Sequence, residues 1–263
     1  MERDILKRLA GKIRQGETVA LVTLTESMGS APRKAGSIMA VFNEEFMGSI
    51  GGGKVEFEVI KLAREAIEKG ESKEFSYTLL PDSELGMSCG GSVKGYIKVF
   101  KPQEKLLIVG AGHIGKALNE LASHLAFEIT VVDDRVEYAG EMENIVIGNY
   151  TEELKSFPVD RNTYCVIVTR GHETDEASLR ALLGRHAAYI GMVGSKRKVM
   201  QIRKHLLEEG FTREQLKEVY SPIGVRISDG TPYEIAIEIL AEILKVKNNG
   251  DLKHRRDELV DAF

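Results

Sequence analysis

The sequence contains too little cysteine for a fold held together by disulfides. Its 263 residues include two cysteines, Cys89 and Cys165, and two cannot form the framework that stabilises small secreted domains. We therefore expect a reducing compartment. The six histidines show no metal-ligand spacing with one another or with the cysteines, so no structural zinc site is predicted.

Signal sequences, long apolar runs and a basic charge excess are also missing. The chain begins Met1-Glu2-Arg3-Asp4, which is charged from its second residue and lacks the apolar core of a signal peptide. No apolar run approaches the roughly 18 residues that a membrane span needs. The formal net charge of -4 gives no field of the kind that duplex DNA binding needs. We expect a cytoplasmic protein that binds neither nucleic acid nor membrane.

What the sequence does have is a globular composition and clustered glycine. Hydrophobic residues make up 43% and charged residues 29%, which excludes disorder as the main state of the chain. The 26 glycines gather in a few loops where backbone must approach something closely. The length favours two domains, and the charged segment over 101–105, which contains Pro102, predicts the boundary. We predict domains over 1–100 and 105–247 and a polar C-terminal tail over 248–263.

The first hundred residues are predicted to form a mixed α/β domain. Apolar residues recur at helical spacing over 5–13 and again after the triple glycine, where Gly70 ends the second helix. β-branched and apolar runs predict strands around these helices. The predicted strands cover 18–25, 37–42, 46–50, 74–80 and 92–100.

The second half changes to a strand-helix rhythm that predicts a Rossmann-like, doubly wound parallel sheet. Its apolar runs are short, almost continuous and β-branched, as in strands covered on both faces. They cover 106–109, 129–132, 145–147, 164–169 and 189–193. Helical patterns occur over 114–125, 175–183 and 198–209, and a last helix begins with a capping box formed by Thr231 and Glu234.

The motif Gly110-Ala111-Gly112-His113-Ile114-Gly115 directly follows the first of these strands and opens a helix. In such a motif the glycines permit a tight turn, the approach of a pyrophosphate and close helix-strand packing. Asp133 ends the second strand, where an acid can accept a ribose hydroxyl, and Arg135 could accommodate a 2′-phosphate. The alternatives are a glycine turn that serves packing only and an arginine that lies on the surface.

Two further loops follow strand ends of the same sheet. Gly171 and His172 come after one strand, and Gly194, Ser195 and Lys196 come after the next. Because ligands of open parallel sheets bind outside the carboxyl ends of the strands, we expect both loops to border the glycine turn. Lys196 suits a phosphate, and His172 suits a proton carrier or ligand contact. A solvated basic loop and an exposed histidine are the alternatives.

The first domain has a glycine-rich surface of its own. Arg33 lies in one glycine-rich segment, and Gly51, Gly52 and Gly53 precede a helix. Exposed amides at a helix start suit an anion. Cys89 lies between small residues ahead of a strand, and if amides and basic groups lower its pKa, it is a thiolate at neutral pH. Cys165 lies in a buried strand pattern and is predicted to serve packing.

These segments resemble the XdhC/CoxI family of accessory proteins for molybdenum hydroxylases. The matching stretches occur in order along both domains and are GSAPRKAGSIMAV (29–41), GSIGGGKVE (48–56), MSCGGSVKGYI (87–97), LLIVGAGHIGKAL (106–118), VVDDR (131–135), TRGHETDEASLRALL (169–183), YIGMVGSKRK (189–198) and SPIGVRISDGTPYEIA (221–236). A series of this length is far more specific than a single glycine motif.

The resemblance implies a chaperone rather than a metabolic enzyme. Such a protein would bind the molybdenum cofactor, a molybdopterin that can take a dinucleotide form, and assist its sulfuration by a cysteine desulfurase. It would then insert the cofactor into the catalytic subunit of a molybdenum hydroxylase such as xanthine dehydrogenase, and it would act as a homodimer. Cys89 would contact molybdenum or handle sulfur. Many relatives carry cysteine where this chain has Lys54, which bears on the sulfuration role.

Two other functions stay open at this stage. The glycine turn and Asp133 would also serve an NAD(P)-dependent oxidoreductase, with His172 as its candidate acid-base group. A regulatory protein that senses a nucleotide and contacts a partner is the other. The chain carries no Ser-His-Asp signature, no phosphate-binding Walker loop and no paired carboxylates in a loop.

Overall fold

A computed structural model describes residues 1–29, 33–78, 91–254 and 256. The chain forms two compact units, one over residues 1–103 and one from residue 104 onward. The first contains a mixed α/β arrangement and the second a parallel α/β sheet, so the predicted fold class is confirmed. Within the described residues, no helix combines the length and the apolar character that a membrane span requires.

Unit 1 is an antiparallel sheet with a helix on each face. Its elements are α1 (Glu2–Arg14), β1 (Val19–Gly29), β2 (Ile38–Val41), β3 (Phe46–Gly48), α2 (Gly53–Lys69), β4 (Lys73–Thr78) and β5 (Gly91–Phe100). The strand order is β3-β2-β1-β5-β4, and each neighbouring pair is antiparallel.

The alternation of side chains along β1 explains the two covered faces. Val22 and Leu24 point into the core that α2 covers, whereas Val19 packs with Ile5 and Leu9 of α1 on the other side. The helix α2 ends where the sequence predicts, because Gly70 adopts a left-handed conformation with φ 66° and caps it.

Unit 2 is a doubly wound parallel sheet. Its elements are β6 (Glu104–Val109), α3 (His113–Ala122), β7 (Phe127–Asp133), β8 (Ile145–Ile147), α4 (Tyr150–Ser156), β9 (Thr163–Ile167), α5 (His172–Leu182), β10 (Tyr189–Met192), α6 (Lys196–Glu208), α7 (Arg213–Lys217), β11 (Val219–Tyr220) and α8 (Pro232–Asn248), with one 3-10 turn over Val136–Tyr138. The strand order is β11-β10-β9-β6-β7-β8. The order reverses between β6 and β9, which makes their carboxyl ends the topological switch point.

The central strand β6 is buried on both faces. Leu106 and Ile108 pack beneath α3 and α8, and Leu107 and Val109 pack beneath α4, α5 and α6. The apolar run of β6 therefore reads as continuous instead of alternating, as expected for a strand between two helical layers.

Four short elements were not predicted, and one of them is the 3-10 turn over Val136–Tyr138. The helices α4 and α7 contain 7 and 5 residues, which is too short for a helical period to show in the sequence. Their caps, Asn149 and Thr212, hold the first turns through side-chain hydrogen bonds. The edge strand β11 contains 2 residues. The tail is exposed and not helical over 249–254, whereas Asn248 still belongs to α8.

The capping box of α8 gives a direct test of the sequence-structure relation in unit 2. The Thr231 hydroxyl accepts a hydrogen bond from the Glu234 amide at 3.4 Å, and the Glu234 carboxylate accepts one from the Thr231 amide at 2.9 Å. We expect Thr231→Ala to lower the free energy of unfolding of unit 2 by about 1 kcal/mol. Thr231→Ser keeps the hydroxyl and should stay close to wild type. Equal stability of the alanine and serine variants in urea unfolding would contradict this assignment.

Candidate functional site

The three glycines of the turn after β6 each meet a different spatial demand. Gly110 has a φ of +113°. A Cβ on this residue would lie 2.6 Å from the carbonyl oxygen of Val168, which directly follows the neighbouring strand β9. At Gly115 a Cβ would lie 1.9 Å from the Gly110 carbonyl oxygen, whereas at Gly112 it would meet nothing within 4 Å. The turn is therefore closed towards the protein at Gly110 and Gly115 and open at Gly112, which is the arrangement that admits a pyrophosphate.

The open side of this turn coincides with the start of α3. Gly112 is the N-cap residue of that helix and supplies no side-chain cap. The first amides of a helix have no partner within it, and they carry the positive end of the helix dipole. The turn thus offers backbone donors to an anion, and His113 beside them is exposed.

Asp133 fixes the turn from the neighbouring strand. Its side chain lies at the end of β7, is 0% exposed and accepts a hydrogen bond of 2.6 Å from the Ala111 amide. The Arg135 guanidinium binds both carboxylate oxygens at 2.7 Å. Burial alone would raise the pKa of Asp133, but the hydrogen bonds from Arg135 and from the Ala111 amide outweigh it and hold the pKa below its usual value. Asp133 is therefore a buried carboxylate anion.

A second buried ion pair lies under the loops that follow β9 and β10. Asp175 of α5 is 0% exposed and pairs with Lys198 of α6, which is 9% exposed. The other oxygen of Asp175 accepts hydrogen bonds from the Thr169 hydroxyl at 2.5 Å and the Thr169 amide at 3.2 Å. Burial raises the pKa of Asp175, and the hydrogen bonds from Lys198 and Thr169 act against that rise. The pair therefore links the loop that follows β9 to the loop that follows β10.

This pair was not predicted from the sequence, although a signal was available. Asp175 shares one helical face with Ser178, Leu179 and Leu182, and all of them are buried. Lys198 is buried beside Val199 and Ile202 in the same way. A charged residue on the apolar face of a helix needs a partner of opposite charge, so the two faces could have been matched.

The predicted residues of unit 2 meet at one edge of the sheet. They follow adjacent strands in the order β10-β9-β6-β7, and they are Gly194, Ser195 and Lys196, then Gly171 and His172, then Gly110, Gly112, His113 and Gly115, and finally Asp133 and Arg135. His172, Ser195 and Lys196 are exposed. Across the switch point, an Arg170 nitrogen lies 3.8 Å from an Asp134 oxygen. We call this edge the crevice.

The glycine-rich turn of unit 1 contains an anion of its own chain. Glu56 accepts hydrogen bonds from the Ser49 hydroxyl at 2.6 Å, the Ile50 amide at 3.0 Å and the Gly52 amide at 3.1 Å, all on one carboxylate oxygen. Gly51, Gly52 and Gly53 all have positive φ values, so this path of the backbone depends on glycine. The exposed amides were predicted from the sequence, but Glu56, which occupies them, was missed.

The two basic residues of unit 1 and the cysteine of β9 that were singled out in the sequence lie in different environments. Arg33 and Lys54 are exposed. Cys89, the candidate for molybdenum or sulfur chemistry, lies outside the described residues. Cys165 in β9 is fully buried, and burial raises the pKa of its thiol to about 12, which agrees with a packing role. In the part of the chain that the structure describes, no three His, Cys, Asp or Glu side chains form a group that could hold a metal ion.

Models of known families match both units. A model described as the XdhC Rossmann domain matches residues 106–243, and one described as the XdhC and CoxI family matches residues 12–78. The chain belongs to the XdhC and CoxI family. For this XdhC-family chain, the first match thus spans the whole crevice and the second includes the triple-glycine turn.

Two curated relatives match this XdhC-family chain over part of their own length. It is 29% identical to the uncharacterized protein YqeB of Escherichia coli K12 over 88% of this chain and 44% of that protein. It is 26% identical to a protein of Bacillus subtilis 168 named as a probable subunit of xanthine dehydrogenase, over 58% of this chain and 46% of that protein. The chain thus spans less than half the length of these two relatives.

Two further comparisons extend over nearly the full chain. The molybdenum cofactor insertion chaperone PaoD of Escherichia coli K12 is 21% identical over 93% of this chain and 88% of its own length. A crystal structure described as a xanthine dehydrogenase from Bacillus halodurans covers 95% of this chain and 96% of its own, with a TM-score of 0.51 and 19% identity. The structural likeness supports the fold.

The pairing of Asp175 with Lys198 predicts a large stability effect. We expect Lys198→Met to destabilise unit 2 by about 3–5 kcal/mol, because it leaves a buried carboxylate without its cation. In the double variant Asp175→Asn/Lys198→Met, the amide can still accept from Thr169 and no charge is stranded, so part of the loss should be recovered. Urea unfolding of Lys198→Met, Asp175→Asn and the double variant measures this. Additive effects of the two substitutions would show that the pair does not interact.

Proposed function

We propose that this chain is an accessory protein of a molybdenum hydroxylase. It binds the molybdenum cofactor as cargo, assists the sulfuration of the bound cofactor by a cysteine desulfurase, and inserts it into the catalytic subunit of the hydroxylase. The observation that carries this proposal is the match to a cofactor insertion chaperone along 88% of that chaperone's length. The match to a protein named for xanthine dehydrogenase supports the hydroxylase as the kind of partner.

The crevice of unit 2 has the chemistry to bind the phosphate end of such a cofactor. Molybdopterin carries a phosphate, which is extended to a pyrophosphate in its dinucleotide forms. The space above Gly112 and the uncapped start of α3 provide backbone donors for these oxygens. Lys196 and Arg197 are exposed at the start of α6, after β10 and two strands away from β6, and they add positive charge to the same edge. In this proposal the crevice binds the cargo and performs no chemistry on it.

Unit 1 is proposed to supply the thiol for the sulfuration step. Its glycine-rich turn lies within residues 12–78, which the family model matches, and Cys89 is the thiol that we assign to molybdenum or sulfur. Arg33 is exposed and available to an anionic ligand. Because this chain has Lys54 after the triple glycine, a thiol contribution would come from Cys89 alone. We further propose that the protein acts in the cytoplasm as a homodimer.

Gly112 provides a test of the crevice that does not depend on folding. An added methyl group meets no protein atom there, but it would occupy the space that a phosphate needs. We expect Gly112→Ala to weaken anaerobic binding of the molybdenum cofactor by about tenfold or more, the loss of one hydrogen bond to a charged group, without lowering Tm. Gly11→Ala in α1 is the matched control, since its methyl group also meets nothing within 4 Å. If both variants lose the same affinity for the cofactor, or if Gly112→Ala loses none, the crevice is not the binding site.

The role of Cys89 is tested separately by reconstitution. Cys89→Ala should retain phosphate-dependent binding of the cofactor but deliver less of the sulfurated form, so that an apo-hydroxylase supplied with cysteine desulfurase regains less activity. Cys165→Ala is the control, because its thiol is buried and cannot reach a ligand. Full activation of the hydroxylase by Cys89→Ala would contradict this role.

A further inference from the structure

The position of Asp133 is the one at which dinucleotide-binding sheets recognise a ribose. An acid at the end of the second strand normally accepts hydrogen bonds from the hydroxyl groups of the adenosine ribose, next to the glycine turn that binds the pyrophosphate. In this chain Asp133 ends β7 beside the turn. Its side chain is 0% exposed, so the carboxylate is covered by other groups of the same chain.

The hydrogen bonds of Asp133 use up its capacity as an acceptor. A carboxylate offers about four lone-pair positions on two oxygens. One oxygen accepts from the Arg135 amide at 3.0 Å and from Arg135 Nε at 2.7 Å. The other accepts from the Ala111 amide at 2.6 Å and from Arg135 Nη2 at 2.7 Å. A ribose hydroxyl therefore finds no open position, and Arg135 holds three of the four.

Arg135 is itself held in place. Its side chain is 15% exposed, its Nη1 donates to the Tyr138 hydroxyl at 3.0 Å, and its guanidinium carbon lies 4.3 Å from the centre of the Tyr138 ring. A two-point contact between a guanidinium and a buried carboxylate is among the strongest pairings of side chains. The charge of Arg135 is compensated by Asp133, so it offers little attraction to a 2′-phosphate.

We propose that Arg135 is a specificity residue of the crevice, which withholds Asp133 from ribose hydroxyls and thereby excludes NADH and NADPH from tight binding. The crevice then accepts a phosphate or pyrophosphate group on the glycine turn without selecting for an attached adenosine. This inference stands on the contacts of Asp133 and does not depend on the cofactor proposed above. It also separates the glycine motif of this chain from the oxidoreductase function that the motif suggests.

The proposal is tested by fluorescence titration of the full chain with NADH and NADPH. Wild type should show no saturation with either nucleotide in the micromolar range. Arg135→Met removes the two guanidinium contacts and keeps the backbone amide contact of residue 135. Two acceptor positions of Asp133 become free, so NADH should bind at least about tenfold more tightly, the effect of a hydrogen bond to a charged group. NADPH should gain nothing, because its 2′-phosphate would face the unpaired carboxylate. This difference between the two nucleotides is not expected from a structural role of Arg135.

Two further variants keep the result decisive. Arg135→Lys keeps a cation beside Asp133 but cannot bind both oxygens, so it should fold as wild type and show a smaller gain for NADH. Asp133→Asn/Arg135→Met removes the charged acceptor and should lose the gain. Micromolar binding of NADH by wild type would overturn the proposal. Unchanged NADH affinity in the folded Arg135→Met or Arg135→Lys chain would overturn it as well.

The neighbouring Asp134 supplies the rival explanation. Its side chain is 33% exposed and lies 3.8 Å from Arg170, so it is the other carboxylate that a ribose could reach. Asp134→Asn in the Arg135→Met background should leave the NADH gain intact if Asp133 is the acceptor. Loss of the gain in that variant would assign the ribose contact to Asp134 and overturn the role given to Arg135.

Discussion

Two carboxylates are completely buried in the part of unit 2 that the structure describes, and the need to pair each of them with a cation shapes the carboxyl edge of its sheet. Asp133 and Asp175 are both 0% exposed. An isolated charge in such a position is too costly to persist, so Arg135 and Lys198 have to stay where they are. Each pair joins segments that the strands alone would leave independent. Asp133 ties β7 to the glycine turn, and Asp175 ties the loop after β9 to α6.

The fold was largely accessible from the sequence because unit 2 repeats a simple pattern. Its strands are apolar on both faces, its glycine turn follows the first strand, and its last helix carries a complete capping box. These features depend on neighbouring residues, which sequence periodicity reports well. The short helices α4 and α7 were not predicted, because a helix of one or two turns shows no hydrophobic periodicity in the sequence.

The sequence predicted which loops form the candidate site, but it did not predict the contacts between their side chains. The glycines, Asp133 and Arg135 were all identified from their positions along the chain. Whether Asp133 faces a ligand or Arg135 depends on side-chain packing, which residue spacing does not encode. The partner of Asp175 lies on the next helix, α6, so the spacing of residues within α5 does not identify it. The sequence signal was a charged residue on the apolar face of each helix. Residue spacing also does not identify Glu56, whose carboxylate folds back onto amides that the sequence pattern assigned to an external anion.

Glu56 has a consequence for which anions can compete at the turn of unit 1. A carboxylate tethered to the same chain acts at a high effective concentration, of the order of millimolar or above for a short connection. At equilibrium, its hydrogen bonds to Ser49, Ile50 and Gly52 are therefore favoured over those of a dilute external anion. Free phosphate at lower concentration would leave the turn unchanged. A ligand that displaces Glu56 has to be anchored elsewhere on the protein as well, so that it too competes as a tethered group.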